Sequence, residues 1–315
     1  MHVYRWDLDK TYLDTDFDSI RGLMRSATEP AVAKRATPGA TALARALCAH
    51  PRNKLRIVSG SPTQMREVLS EKLRLDGIRY DELVLKDSLK HLRKGQVRAI
   101  RGQFGYKLPA LLRSRVGLGR GVHETLFGDD AEVDALVYSV YADAISGRLR
   151  PAQVARILEA AGAYRESIDE TMEVMARVSV AEAVERIFIR IDRGVPPARF
   201  EVLGTRVIPV HSWWQGALVL LEAGHIDGVA ASEVLKAVVR EAGHDVWAIA
   251  GLTQDLVLRG RVGAQILDQV QDADEFIDHC TKALKRLGTP PVFRPAAPPD
   301  DIDYLAVVRN WSRHR

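Results

Sequence analysis

The chain has 315 residues, of which 46% are hydrophobic and 27% charged, and its formal net charge at pH 7 is +4. This composition is typical of a globular protein with one large α/β domain and an appendage, or with two domains. Its basic residues are scattered, whereas a dedicated nucleic-acid binder carries a dense basic stripe, which argues against a nucleic-acid partner.

The first predicted element is a short buried strand at residues 2–6, whose residues are mostly apolar or aromatic. An acidic pair, Asp7 and Asp9, follows it directly, and Thr11 comes two residues later. Two carboxylates at the end of a buried strand are costly unless a cation or a reaction uses them. The motif alone fits an acidic surface turn equally well.

Helices and strands then alternate along the chain. Ser61 is expected to cap a helix that has Pro62 as its first residue. This alternation indicates βαβ units and a parallel sheet with right-handed crossovers. The predicted helices lie at residues 40–50, 63–75, 109–116 and 134–144, and the strands at 55–58, 82–85 and 124–127.

The second half of the chain begins with a helical stretch at residues 150–183 that lacks strand signals. Because strands follow at residues 186–191 and 206–210, this stretch is interpreted as a helical insertion in an α/β domain of residues 1–228. A helical extension is expected at residues 229–289, and a Pro-rich linker with a tail helix at 290–315. The helices of the extension are predicted at residues 231–242, 246–258, 264–270 and 275–287.

Three polar stretches fall at the carboxyl ends of predicted strands. They are the acidic pair, the Ser-Gly-Ser turn at residues 59–61 and the Gly-Asp-Asp turn at residues 128–130. In parallel sheets, ligands bind beyond the carboxyl ends of the strands. The shared placement therefore predicts that these stretches form one site. His211, Arg190 and Asp192 also lie near strand ends, and we interpret His211 as an ordinary histidine.

The order and setting of these residues resemble the four motifs of phosphatases of the haloacid dehalogenase superfamily. The motifs are residues 7–11, Ser59 after its strand, Lys107, and Asp129 with Asp130. Residues 58–62 and the Gly-Asp-x-x-x-x-Asp run at 128–134 look most like the yeast actin-patch type of phosphatidate phosphatase, a group related to lipins. The resemblance covers residues 1–145 and, more loosely, 186–228.

The resemblance implies an Mg²⁺-dependent phosphatase with a Rossmann-like three-layer fold, which hydrolyses a phosphomonoester through an aspartyl-phosphate. Asp7 is the implied nucleophile, and Asp9 the acid that protonates the leaving oxygen and then activates water. Asp7, the main-chain carbonyl of Asp9 and Asp129 are the implied Mg²⁺ ligands. Ser59 and Lys107 would bind and neutralise the phosphoryl group. Supporting roles would fall to Thr11, Gly60, Asp130 and Asp134.

Several of these roles have alternatives. Ser59 also fits a helix cap, and Asp130 and Asp134 fit acids at a helix start, stabilised by the helix dipole. We favour Lys107 for the lysine role because it opens a predicted helix just before the fourth strand. Its competitors in the same basic stretch are Lys86, Lys90 and Lys94.

The expected partner is a phosphorylated substrate, which could be a lipid such as phosphatidate, a small molecule or a macromolecule. Two further functions fit the sequence: a non-catalytic scaffold that keeps the fold, and a nucleic-acid 3′-phosphatase. Cys48 and Cys280 lie far apart, which argues against a thiolate zinc site or a disulfide framework. With no signal-peptide pattern and no apolar stretch long enough to span a bilayer, we expect a cytoplasmic protein without an integral membrane segment.

Overall fold

The computed structural model describes residues 1–15, 29–86, 99–131, 133–271, 275–288 and 301–311, with the main chain alone at 99–103. Within these residues, six parallel strands form one sheet in the order β3-β2-β1-β4-β5-β6. The predicted parallel α/β fold is therefore confirmed. The strands are β1 (His2–Trp6), β2 (Lys54–Pro62), β3 (Glu82–Lys86), β4 (His123–Asp129), β5 (Val184–Arg190) and β6 (Val207–Val210).

Helices cover both faces of this sheet, which gives the three layers that the sequence predicts. Two clusters of buried apolar side chains, one on each face, join the helices to the strands. The first face carries α1 (Ala40–Leu47), α2 (Arg66–Leu75), α7 (Trp213–Glu222), α8 (Gly228–Ala242), α9 (Val246–Leu258) and α10 (Glu275–Leu287). The second carries α3 (Ala99–Arg115), α4 (Asp134–Ser146), α5 (Pro151–Ala160), α6 (Arg165–Met175) and α11 (Tyr304–Trp311).

The helices of the predicted insertion and of the predicted extension share these two cores. Helices α5 and α6, which make up the predicted insertion, pack within the same buried cluster as α3 and α4. Helices α8, α9 and α10 of the predicted extension contribute Val234, Ile249 and Cys280 to the cluster that contains Trp6 of β1. The added helices are thus continuous with the hydrophobic core of the sheet.

Strand β1 separates two kinds of buried environment, because its side chains alternate between the two faces of the sheet. Trp6 stacks on Phe127 of β4, with ring centroids 4.3 Å apart, and Phe127 stacks on Phe188 of β5 at 5.2 Å. On the second face, the Arg5 guanidinium binds the Glu124 carboxylate, which also binds Arg115. The central strands are fixed by aromatic packing on one face and by a buried charge network on the other.

The chain reverses its direction of travel across the sheet at β1. From β1 it moves to β2 and β3 on one side, and then returns to β4 on the other side. Crossovers that leave in opposite directions open a crevice at the carboxyl ends of the two strands, and ligands of α/β proteins bind there. Asp7 directly follows β1, Asp129 ends β4, and the Asp7 main-chain N–H donates to the Phe127 carbonyl at 3.0 Å.

Three local predictions are wrong. Strand β2 continues to Pro62, pairing there with Lys86, so Ser61 lies in a strand and does not cap a helix. Helix α3 is already formed at Ala99 and runs through Pro109, because its apolar residues pack into the second core. Residues 264–270 contain only a 3-10 helix, Ile266–Gln269, since the Val270 main-chain N–H bonds to the Leu267 carbonyl, three residues back, and that of Gln271 bonds to the Gly228 carbonyl.

Candidate active site

A buried ion pair lies where β1 ends. The Lys107 ammonium of α3 is 3.2 Å from Asp7 Oδ1 and 2.5 Å from Asp134 Oδ1. All three side chains are at most 1% exposed. Charges removed from water to this degree persist only when they are closely paired. Lys107 therefore joins the carboxylate that follows β1 to the first residue of α4.

Three carboxylates converge at this point. Asp7, Asp129 and Asp134 each offer an oxygen that lies within 4.8 Å of the other two. Asp129 is held in place because its Oδ1 accepts from the Ala131 main-chain N–H at 2.7 Å and its Oδ2 accepts from Thr11 Oγ1 at 3.1 Å. Buried carboxylates that converge on one point repel one another, and Lys107 offsets part of their negative charge. An all-oxygen donor set of this kind fits Mg²⁺.

Gly128 allows the close approach of Asp134. A Cβ atom on Gly128 would lie 2.5 Å from Asp134 Oδ2 and 2.6 Å from Asp134 Cβ, which is closer than real Cβ contacts. Tyr138 stands behind the same carboxylate. Burial, and then the charge of Asp134, hold the pKa of Tyr138 well above its usual range. Tyr138 therefore stays protonated, and its hydroxyl donates to the Phe127 carbonyl at 3.4 Å.

The Asp9 carboxylate turns toward β2 and away from the three converging carboxylates. Its Oδ2 accepts from Ser61 Oγ at 2.6 Å and from Ser59 Oγ at 3.2 Å, and its Oδ1 accepts from Thr15 Oγ1 at 3.3 Å. Ser59 and Ser61 lie two residues apart in an extended strand, with Gly60 between them, so both hydroxyls point to the same side. The structure thus brings Ser59 to the site and excludes its alternative role as a helix cap.

The sequence patterns did not identify Ser61 as a site residue. The signal that could have identified it is the Ser-x-Ser spacing at a strand end, where the period of two places both side chains on one face. The following proline favoured a helix start instead.

The loop that carries Asp9 is fixed by residues far away in the sequence. Lys10 adopts a left-handed conformation, with φ of 59°, and its carbonyl accepts from Arg190 Nη1 at 2.8 Å. The Thr11 carbonyl accepts from Thr37 Oγ1 at 2.7 Å and from Trp213 Nε1 at 3.2 Å. Arg190, Thr37 and Trp213 therefore position the loop, and no local sequence pattern links them to it.

The Asp130 carboxylate lies outside the group of converging carboxylates and binds the loop after β5. Its carboxylate accepts main-chain N–H bonds from Asp192 at 2.6 Å, Arg193 at 2.9 Å and Val195 at 3.1 Å. These contacts differ from the helix-start alternative, and the supporting role stays a prediction. Successive residues at a strand end point in opposite directions, so Asp130 faces the loop after β5 while Asp129 faces Asp7.

The remaining residues considered from the sequence are the lysines and His211. Lys107 occupies the position expected of the site lysine, whereas Lys86 ends β3, and Lys90 and Lys94 lie outside the described residues. His211 is exposed, and its main-chain N–H donates to Gln215 at 2.6 Å, which agrees with its interpretation as an ordinary histidine.

Comparison of the chain with protein-family models, with curated proteins and with solved structures finds no match. None of the helices in the described part of the chain combines the length and the apolarity that a membrane crossing requires.

Proposed function

We propose that this protein is a phosphatase of the haloacid dehalogenase type, which hydrolyses a phosphomonoester through an aspartyl-phosphate. The observation that carries this proposal is the buried contact of Asp7 with Lys107, beside the carboxylates of Asp129 and Asp134. This group lies at the switch point between β1 and β4, where α/β proteins bind their ligands.

In the proposed reaction, an Asp7 carboxylate oxygen attacks phosphorus, and the bond from phosphorus to the leaving oxygen breaks. The covalent intermediate divides one difficult displacement into two easier ones. The Lys107 ammonium, 3.2 Å from Asp7 Oδ1, orients the nucleophile and neutralises the negative charge that accumulates around the transferred group.

Asp9 is the proposed proton carrier. It gives a proton to the leaving oxygen, and in the second step it takes one from the water that attacks the aspartyl-phosphate. In this structure its carboxylate accepts hydrogen bonds from Ser59 and Ser61. A bound phosphoryl group would compete for the same two hydroxyls. Substrate entry would therefore release Asp9 from β2 and transfer the serine hydrogen bonds to phosphoryl oxygens.

The buried carboxylates would hold the Mg²⁺ that this reaction type uses. Asp7, Asp129 and Asp134 supply carboxylate oxygens at mutual distances that suit one ion, and the main-chain carbonyl of Asp9 stays a proposed further ligand. When bound, Mg²⁺ supplies positive charge that stabilises the transferring phosphoryl group. Thr11 would keep Asp129 oriented through the hydrogen bond from its hydroxyl.

The test is phosphate release by the purified full chain with Mg²⁺. The substrates are phosphatidate, a sugar phosphate, a nucleotide, a phosphopeptide and an oligonucleotide with a 3′-phosphate. Asp7→Asn should abolish release, and the exposed Asp14→Asn in the same loop should leave it within about twofold. Acid-quenched wild-type protein should carry one phosphoryl group on the peptide that contains Asp7.

The panel also separates the alternatives. Release from the oligonucleotide alone would favour a nucleic-acid 3′-phosphatase, and release from phosphatidate alone would favour a lipid phosphatase. If no substrate releases phosphate, or if Asp7→Asn matches the wild type, the proposal is wrong and a non-catalytic scaffold is favoured.

A further inference from the structure

A second group of titratable side chains lies at the opposite edge of the sheet, where the strands begin. His2 opens β1, Glu185 lies near the start of β5, and His225 follows α7. Each residue offers an atom within 4.8 Å of the other two. At about 3.3 Å per residue, β1 separates His2 from Asp7 by roughly 16 Å. This group is thus distinct from the candidate active site.

Arg186 determines which nitrogen of His225 carries a proton. Its Nη1 lies 3.1 Å from His225 Nε2 and 3.0 Å from Glu185 Oε2. A guanidinium only donates, so in this contact Nε2 accepts and the ring proton is assigned to Nδ1, although Nε2 also lies 3.3 Å from Glu185 Oε2. Nδ1 then donates to the Tyr4 hydroxyl at 3.0 Å. His225 therefore directs a lone pair toward Glu185 and has its other nitrogen held by an oxygen.

His2 has the same arrangement with its nitrogens exchanged. Its Nε2 lies 2.9 Å from Thr125 Oγ1, so Nδ1 is the nitrogen with a lone pair for a ligand when Nε2 carries the proton. Metal-binding histidines commonly donate their second ring N–H to an oxygen in this way.

We propose that His2, His225 and Glu185 bind a divalent transition-metal ion, for which zinc is the best fit, and that Arg186 occupies the cation position in its absence. Two imidazoles and one carboxylate form a donor set that zinc uses, with a fourth position left for water. Imidazole ligands disfavour Mg²⁺. Arg186 borders a cavity of about 740 Å³, which gives its side chain room to move aside.

The test is zinc binding to the purified full chain in excess Mg²⁺, which keeps zinc from the carboxylates around Asp7. Calorimetry and metal analysis should find one zinc per chain, and Co²⁺ should give the visible absorption of a four-coordinate site. Glu185→Gln and His225→Ala should each weaken zinc binding by more than about a hundredfold, since even loss of an outer hydrogen-bond partner costs roughly ten- to a hundredfold. Tyr4→Phe should cause that smaller loss.

Arg186→Ala should tighten zinc binding about tenfold, because it removes a competing cation. His279→Ala is the matched control, since His279 forms an exposed pair with Glu275, and it should leave zinc binding unchanged. Glu185 is one-third exposed, so Glu185→Gln remains informative if His225→Ala fails to fold. Absence of zinc binding, or equal affinity in the wild type and Glu185→Gln, would overturn the site. Weaker binding by Arg186→Ala would overturn the role given to Arg186.

Discussion

Glu124 is a buried carboxylate that binds two arginines, and its replacement by glutamine tests how much the charge network stabilises the sheet. Its Oε2 lies 2.9 Å from Arg5 Nε, and its Oε1 lies 2.7 Å from Arg115 Nη1. The Tyr141 hydroxyl also donates to it, at 2.7 Å. Glu124→Gln keeps the shape of the side chain but leaves two buried guanidinium groups without their counter-charge.

The expected loss of stability is several kcal/mol. Burial alone would raise the pKa of Glu124, but the charges of Arg5 and Arg115 and the hydrogen bonds outweigh it and lower the pKa from 4.5 to about 2. At about 1.4 kcal/mol per pKa unit, this difference corresponds to about 3 kcal/mol. Removal of one partner from a buried ion pair typically costs about 3–5 kcal/mol.

The sign of the pH dependence follows from the lowered pKa. Because the folded protein binds the proton of Glu124 less tightly than the unfolded chain, this stabilisation is complete above about pH 4.5 and is lost as the pH falls toward about 2. Other carboxylates titrate in both the wild type and the variant, so their contributions cancel in the difference between the two.

Urea denaturation measures this difference. At about pH 7, Glu124→Gln should lower the free energy of unfolding by about 3–5 kcal/mol, and the deficit should shrink by about 3 kcal/mol as the pH falls toward 2. The control is Glu170→Gln, which breaks an exposed pair with Arg113 and should cost less than about 1 kcal/mol. A Glu124→Gln deficit below about 1 kcal/mol at neutral pH, or one that does not change with pH, would refute this reasoning.

Three further substitutions test the site. Ser61→Ala removes the 2.6 Å hydrogen bond to Asp9 and should lower kcat/KM for phosphate release about ten- to a hundredfold with little change in Tm. Gly128→Ala places a methyl group against Asp134 and should lower both Tm and kcat, as thermal unfolding and steady-state kinetics will measure. Asp130→Asn weakens the bonds to the loop after β5 and should cost about 1–3 kcal/mol in urea denaturation while the folded enzyme keeps its kcat.

Each of these three predictions would be contradicted by one outcome. An unchanged kcat/KM for Ser61→Ala would show that the hydroxyl does not assist Asp9. Wild-type activity in Gly128→Ala would show that Asp134 tolerates displacement. A loss of kcat in Asp130→Asn as large as that in Asp129→Asn would return Asp130 to the site.

Local sequence patterns were enough to predict the parallel sheet and the acidic residues at the carboxyl ends of its strands. Asp7 and Asp129 could be predicted because each comes where an apolar run changes abruptly to acidic residues, and that change marks the carboxyl end of a buried strand. The alternation of strands and helices was enough to predict a parallel sheet, since parallel strands require crossovers. These patterns depend on residues that are close together in the chain.

Other predictions could not be made correctly from local sequence, because the contacts that decide them join residues far apart in the chain. Ser61 and Pro62 fit a helix start, but pairing of β2 with β3 extends the strand through them. Asp130 follows Asp129 directly, but the direction in which its side chain points depends on the loop after β5, more than sixty residues later. Lys107 was the lysine favoured from the sequence, but its contact with Asp7 depends on the packing of α3 against the end of β1.

The acidic stretch at residues 7–11 is thus a strand end that the sequence alone reveals. The sequence alone does not reveal which residues this stretch contacts. Ser61 donates to Asp9, Lys107 pairs with Asp7, and Trp213 donates to the Thr11 carbonyl. The pairing of His2 with His225 at the other edge has the same origin. Such contacts join residues that only the closed sheet and its packed helices bring together, because strand periodicity specifies which face a side chain occupies and not which distant side chain it meets.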